Sequence, residues 1–403
     1  VGNAWDTKTV LFGYDANTTA DAVKKYTTVT TWVDDATNSQ VSQSTNYLAG
    51  QLYKNTVTDE DGNQTIEFKN REGQVLLVRK MLSATEKADT YYVYNKYNQL
   101  AYVIPPLAAA SGSIDETTLN NLCYQYKYDG RNRLVEKKLP GKGWEYMVYD
   151  KQDRIIMTQD TNMKNGAINW GADLWLFTKY DKFGRVLYTG ITTGGDRNEV
   201  QQAVNSGISN TPNNESKSGS SSIYSNMEVY YTNTAYPTNI VSILSVNYYD
   251  TYPAGMPVTL PTQILGQVVL TQDSQNSAIS TKSMPTASYV KNIENDSWTK
   301  NYTWYDTKGR AIGTYSQNHL GGYTRTETLL DFAGISQKTN TYHKRDGNTA
   351  EAQVKERFVY NAQNMLLKHY HQVNSNPEEL LAENSYNEKG QLINKKVGTI
   401  FKV

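Results

Sequence analysis

Tyr180-Asp-Lys-Phe-Gly-Arg-Val186 decides how this chain is read, because its seven-residue frame keeps returning. Earlier copies are Lys69-Asn-Arg-Glu-Gly-Gln-Val75, Tyr94-Asn-Lys-Tyr-Asn-Gln-Leu100, Tyr128-Asp-Gly-Arg-Asn-Arg-Leu134 and Tyr149-Asp-Lys-Gln-Asp-Arg-Ile155. Later copies are Tyr305-Asp-Thr-Lys-Gly-Arg-Ala311, Leu330-Asp-Phe-Ala-Gly-Ile-Ser336, Tyr360-Asn-Ala-Gln-Asn-Met-Leu366 and Tyr386-Asn-Glu-Lys-Gly-Gln-Leu392. Tyr249-Asp250 opens a tenth that loses the frame at Pro253.

Position one is Tyr in seven of the nine copies, and position two is Asp or Asn in all nine, as at Asp129, Asp150, Asp181 and Asp306. Position five is always Gly, Asn or Asp, as at Gly184, Gly309 and Gly390. These residues tolerate the left-handed backbone region. An Asp or Asn three residues earlier suits the first corner of a type I turn, where its side chain accepts a backbone N–H. A type I turn followed by a left-handed residue is a common hairpin loop with a bulge. Each copy therefore reads as a strand ending in Tyr, a turn with a free tip, and a strand opening with Arg or Gln and then an aliphatic residue. Arg185 and Arg310, at position six, have the length to reach a neighbouring turn.

The sequence between copies fits strands. Arg133–Leu139 runs into Pro140-Gly-Lys-Gly143 and returns as Trp144–Tyr149, with Trp144, Tyr146 and Val148 on one face. Asp61-Gly62 marks another hairpin, between Tyr53–Val57 and Thr65–Phe68. Copies start 25, 34, 21 and 31 residues apart in the first block and 25, 30 and 26 in the second, room for two strands and two turns. That unevenness argues against a strict propeller. The expected fold class is all-β, built of antiparallel hairpins.

Composition agrees. Of 403 residues 32 are Tyr, which suits a half-buried pleated surface, and 38% are hydrophobic. Forty basic residues balance forty acidic ones, so net charge offers no pull towards nucleic acid or an anionic membrane. No apolar run is long enough for a spanning helix. A lone cysteine, Cys123, excludes an internal disulfide. The chain opens on Val1, which reads as a mature product or a fragment.

Five segments are expected. Residues 1–50 are β-rich with a short helix at Thr19–Tyr26. Residues 51–190 hold the first repeat block. Residues 191–226, rich in Ser, Asn and Gly, read as an exposed insertion with a short helix near Asn198–Asn205. Residues 227–300 form an irregular β segment, and 301–403 the second block.

The Tyr-Asp-x-x-Gly-Arg-Leu frame resembles the YD repeats of Rhs proteins, insecticidal toxin-complex shells and teneurins. The resemblance covers roughly residues 50–403. Residues Leu122–Tyr146 are similar to the large secreted Rhs-type proteins associated with type 9 secretion. The resemblance implies antiparallel strands stacked in a spiral, β-solenoid-like shell wall that encloses a toxic C-terminal segment. In that family the segment is commonly released by self-cleavage at an Asp-Pro-x-Gly type motif. This chain has no Asp-Pro, so no catalytic residue carries over.

Few groupings suggest chemistry. His369-Tyr-His371 puts two imidazoles on one strand face, too few for a zinc site, and His319 and His343 are isolated. Asp59-Glu-Asp-Gly-Asn63 resembles a calcium loop, but its glycine comes too early and the closing Glu is missing. Cys123 sits in an alternating strand with no basic partner, as a small buried residue would. No serine has nucleophile-elbow spacing. The expectation is a non-enzymatic, secreted or cell-surface shell segment without cofactors or metals. Its expected partners are the rest of its own shell, a C-terminal toxin segment, secretion machinery and an immunity protein, with no nucleic acid and no membrane insertion. The alternative is an adhesin or carbohydrate-binding module that uses tyrosine platforms.

Overall fold

Position one of the frame pairs directly with position seven. Lys69 faces Val75, Tyr94 faces Leu100, Tyr128 faces Leu134, Tyr149 faces Ile155 and Tyr305 faces Ala311. Leu330, Tyr360 and Tyr386 likewise face Ser336, Leu366 and Leu392. Beside each of these pairs the register shifts by one residue, as the turn-plus-bulge reading requires. The computed structural model describes residues 9–111, 114–166, 171–206, 212–224, 226–271 and 280–398. The fold is nearly all antiparallel β.

The chain divides into two compact units, residues 1–177 with 193–211, and residues 178–192 with 212–403. In the first, Leu11–Ala16 pairs with Tyr53–Thr58, and pairing then proceeds strand by strand to Leu174–Tyr180. The hairpin Tyr26–Val33 and Ala36–Gln43 lies outside that ladder. A core forms where alternate side chains point to one face, with Phe68, Leu77, Ile104 and Cys123 fully buried. Each large apolar side chain so buried contributes about 1.5–3 kcal/mol. Short helices Pro106–Ala110 and Glu116–Leu122 help cover it, the second capped by Asp115, which accepts the Thr118 N–H. The helix expected at Thr19–Tyr26 is a single 3-10 turn, Thr19–Asp21. Ala22 turns left-handed, with φ 47°, and Tyr26 already begins a strand.

In the second unit Val186–Thr193 pairs with Ile240–Tyr249, and the ladder continues from Pro285–Lys291 to Leu392–Val397. Its core is a column of tyrosines. Tyr188, Tyr231, Tyr248, Tyr289, Tyr302, Tyr315 and Tyr323 follow one another with ring centroids 5.2–6.3 Å apart. Each such aromatic pair adds about 0.5–1.5 kcal/mol beyond its buried area. The column then runs out of cover. From Tyr323 to Gly398 no residue is buried: Gly321–Leu330 still meets Gln267 through the Thr328 carbonyl and the Leu330 N–H, and the five strands from Ser336–Asp346 to Leu392–Val397 continue as a single layer without a core.

The Ser/Asn/Gly-rich stretch at 191–226 contains the helix Arg197–Ser206 and the strand Lys217–Tyr224. It is not uniformly exposed. Arg197, Val200, Gln201 and Val204 are buried in the first unit and Glu215 in the second. Composition alone misses this, because a few well-placed anchors suffice to dock a polar segment.

Candidate functional site: an interlocked row of turns

All nine frame copies close in the same way. The backbone N–H of position two donates to the carbonyl of position six, and that of position five donates to the carbonyl of position two. Position five is left-handed throughout, with φ between 60° at Asp153 and 91° at Gly334. The position-two side chain fastens the turn. Asp181 Oδ1 accepts the N–H of Phe183 (2.8 Å) and Arg185 (2.9 Å). The same acceptor role falls to Asp129, Asp150 and Asp306, and to the amide oxygens of Asn95, Asn361 and Asn387. The second carboxylate oxygen takes the position-six guanidinium. Arg133, Arg154 and Arg185 each donate Nε to their own Asp at 2.7 Å, and Arg310 does so at 2.8 Å.

Contacts between successive turns were less legible in the sequence. The pre-turn tyrosine hydroxyl donates back to the position-seven carbonyl of the copy before it. Tyr128 reaches Leu100 (3.0 Å) and Tyr149 reaches Leu134 (2.7 Å). Tyr360 reaches Ser336 (2.9 Å) and Tyr386 reaches Leu366 (2.9 Å). Position six reaches forward instead. Gln99 donates to Asn132 (2.8 Å), Arg133 Nη1 to Asp153 (2.8 Å), and Arg310 Nη1 to the Asp331 carbonyl (2.8 Å). Arg133 also lies over the Tyr149 ring, 4.6 Å from its centroid.

The broken tenth copy keeps its place in this row. Tyr249 donates to the Val186 carbonyl at 3.2 Å, and its ring lies 4.5 Å under the Arg185 guanidinium. Asp250 accepts a fork from Arg185, Nη1 at 3.0 Å and Nη2 at 2.8 Å. That guanidinium holds the Asp250 carboxyl below its ordinary range. Burial pushes the Asp306 carboxyl up, but hydrogen bonds from the Arg310 backbone and side chain outweigh it, and the net direction is down. Both carboxylates are held ionised as acceptors within the turn row.

Gly309 is left-handed like the other position-five residues, with φ 77°, and Gly390 closes its turn onto Asn387. Tyr94 and Tyr305 are half-buried and buried ends of their strands, and Tyr305 donates to the Pro285 carbonyl. Tyr180 ends its strand, and its carbonyl accepts the Glu215 N–H.

The remaining candidates find ordinary partners. His369 meets Glu356 at 2.9 Å, His371 meets Glu379 at 3.4 Å, and His343 meets Thr324 at 2.9 Å. Among the described residues no group of three or more His, Cys, Asp or Glu is placed to hold a metal ion. Asp59 closes its own hairpin, with Oδ1 on the N–H of Asp61 and Asn63. Burial pushes the Cys123 thiol up to about 11, which keeps it protonated.

Sequence reasoning missed the most deeply buried ion pair among the described residues. Lys179, 1% exposed, pairs at 2.8 Å with Glu215, 0% exposed. Glu215 also accepts the N–H of Thr234 and Ala235 and the Thr232 hydroxyl. Burial pushes the Lys179 ammonium pKa down, and Glu215 opposes that shift. The alternation of Leu174–Tyr180 puts Lys179 on the buried face with Phe177, the one signal that could have found it.

No family model matches the chain, and no curated protein matches it. Among solved structures it is similar to the crystal structure of TcdB2-TccC3-TEV, at 10% identity and a TM-score of 0.35, over 96% of this chain and 21% of that one. It is also similar to TcdB2-TccC3 without its hypervariable C-terminal region, at 11% identity and a TM-score of 0.27, over 90% and 20%. The chain thus spans about a fifth of the length of the solved chains it matches.

Proposed function

We propose that this chain is a wall segment of an Rhs/YD-repeat shell, part of a secreted protein that encloses a C-terminal toxin segment and delivers it in competition between bacteria. The carrying observation is a sheet held by its edge instead of a core. Five consecutive strands, from Ser336–Asp346 onward, have no buried residue, yet their turns are fastened to one another by Tyr360 and Tyr386. A domain ordinarily stacks a second layer on a sheet. A wall needs one layer, two wet faces and a repeated clasp, and this sheet has all three. The recurring Tyr-Asp-x-x-Gly-Arg-Leu frame points the same way.

Limited proteolysis of the full-length protein tests the reading. The tail beyond the repeats should resist protease while the native protein is intact and be digested at once after mild denaturation. A tail cleaved as fast in the native protein as in the denatured one would overturn it.

A further inference from the structure

The tyrosine column of the second unit has one covered end and one open end. Tyr188, Tyr231, Tyr248, Tyr289, Tyr302 and Tyr315 are each at most 7% exposed. Tyr323, the seventh, is half-buried and the first to reach solvent. No step between successive ring centroids exceeds 6.3 Å. Trp304 joins from the side, its ring 6.4 Å from Tyr315. Electron transfer falls off exponentially with distance, so a series of such short steps outruns one long jump.

Where an oxidised ring comes to rest depends on its proton, because a phenol that loses an electron becomes a strong acid. Tyr188, Tyr231 and Tyr248 donate their hydroxyls to the backbone carbonyls of Thr232, Asn247 and Glu228, and Tyr302 donates to the Tyr289 hydroxyl. Carbonyls and phenols are too weakly basic to keep a proton. Glu215 lies near Tyr188, but its carboxylate is already bound by Lys179, Thr232, Thr234 and Ala235. The Trp304 indole N–H is buried without a hydrogen-bond partner. Tyr323 differs, because its hydroxyl donates to the exposed carboxylate of Glu351, a base within hydrogen-bond reach. At rest that hydrogen bond pushes the Tyr323 phenol pKa up, so the proton stays on Tyr323 until an electron leaves.

We propose that the column conducts oxidising equivalents out of the covered core to Tyr323, which makes Tyr323 a site of oxidative modification. A one-electron oxidant such as the carbonate radical is reduced to carbonate by an electron from a ring in the column. Each ring refills from the next, until Tyr323 gives up the electron, its O–H bond breaks and the proton passes to Glu351. The neutral phenoxyl radical that remains couples at a ring carbon with a second radical. The inference stands on this column alone and holds whether or not the shell reading does.

The test places a photo-oxidant near the far end of the column. Lys217 is exposed and pairs across the strands with Tyr231, while the single cysteine of the chain, Cys123, is buried. The full chain carrying Lys217→Cys is labelled there with a ruthenium tris-bipyridine complex. A flash in the presence of cobalt(III) pentaammine chloride, which takes the excited electron, leaves ruthenium(III) as the oxidant. A nitroso spin trap followed by peptide mapping locates the radical, and Tyr323 should carry most of the trap. Tyr315→Phe keeps the ring but removes the phenol, and should lower the Tyr323 yield severalfold. Glu351→Gln, at an exposed position that leaves the column intact, should also lower it severalfold. Tyr230, which donates to the Glu228 carboxylate at 3.0 Å, and Tyr342, half-buried like Tyr323, stand outside the column. More trap on either of them than on Tyr323, or a Tyr323 yield unchanged by Tyr315→Phe, would overturn the proposal.

Discussion

Arg185 binds Asp250 through both terminal guanidinium nitrogens while its Nε stays on Asp181, four residues before it. One side chain thus closes its own turn and clasps the next, across 65 residues of sequence. A charged hydrogen-bond set of this kind is worth about 1.5–3 kcal/mol. Arg185→Ala should lower unfolding stability by about that amount. Arg185→Lys should recover less than half of it, because an ammonium cannot reproduce the planar fork. Urea unfolding measures both, and full rescue by Lys would show the fork to be idle.

Gly184 has φ 78°, and a Cβ added there would meet nothing within 4 Å. The cost of a side chain is therefore a backbone cost. Gly184→Val should destabilise by about 1–2 kcal/mol, and Gly184→Asn by much less, because Asn tolerates this conformation. Asn already occupies the equivalent place at Asn98, Asn132 and Asn364. Thermal melting of the two variants checks the order, and equal losses would contradict the account.

Tyr386 donates its hydroxyl to the Leu366 carbonyl at 2.9 Å, in a region without a core. Tyr386→Phe should cost about 0.5–1.5 kcal/mol. The loss should appear as faster amide hydrogen exchange in the strands Leu366–Val373 and Glu379–Tyr386, with strands far from this turn unchanged. Uniform exchange changes, or none, would show that the hydroxyl does not act as a clasp.

The carboxyls of Asp250 and Asp306 are held below the ordinary value of 3.8. A depressed folded-state pKa means stabilisation that is complete above the unfolded pKa and lost as pH falls through the folded one. Stability should therefore hold above about pH 5 and fall steeply below about pH 4. Asp306→Asn should lower stability at neutral pH and flatten that acid limb. A variant with an undiminished acid slope would assign the loss to other groups.

Lys179 and Glu215 are buried as a pair. Breaking such a pair from one side costs about 3–5 kcal/mol. Lys179→Met should show that loss in denaturant unfolding, and a loss below about 1 kcal/mol would mean that water reaches the pair. Adding Glu215→Leu should not restore stability, since the Thr234 and Ala235 N–H groups would lose their acceptor.

The turn grammar was legible because it is local: Asp181, Gly184 and Arg185 meet within one hairpin loop, so residue type and spacing suffice. The clasps from Tyr386 to Leu366 and from Arg185 to Asp250 depend on register between distant strands. Composition hid Glu215, which lies in a polar stretch where burial is decided by a few anchors. The turn Asn318-His-Leu-Gly321 repeats the same hydrogen bonds without the preceding Tyr, so it escaped a search keyed to tyrosine.

The most direct test of the central claim is a cryo-electron microscopy envelope of the full-length protein that carries this chain. The account predicts a hollow body, its wall one β-layer thick where the strands from Ser336–Asp346 to Leu392–Val397 run, with separate density inside. A filled body, with those strands packed on both faces into a closed apolar core, would contradict it.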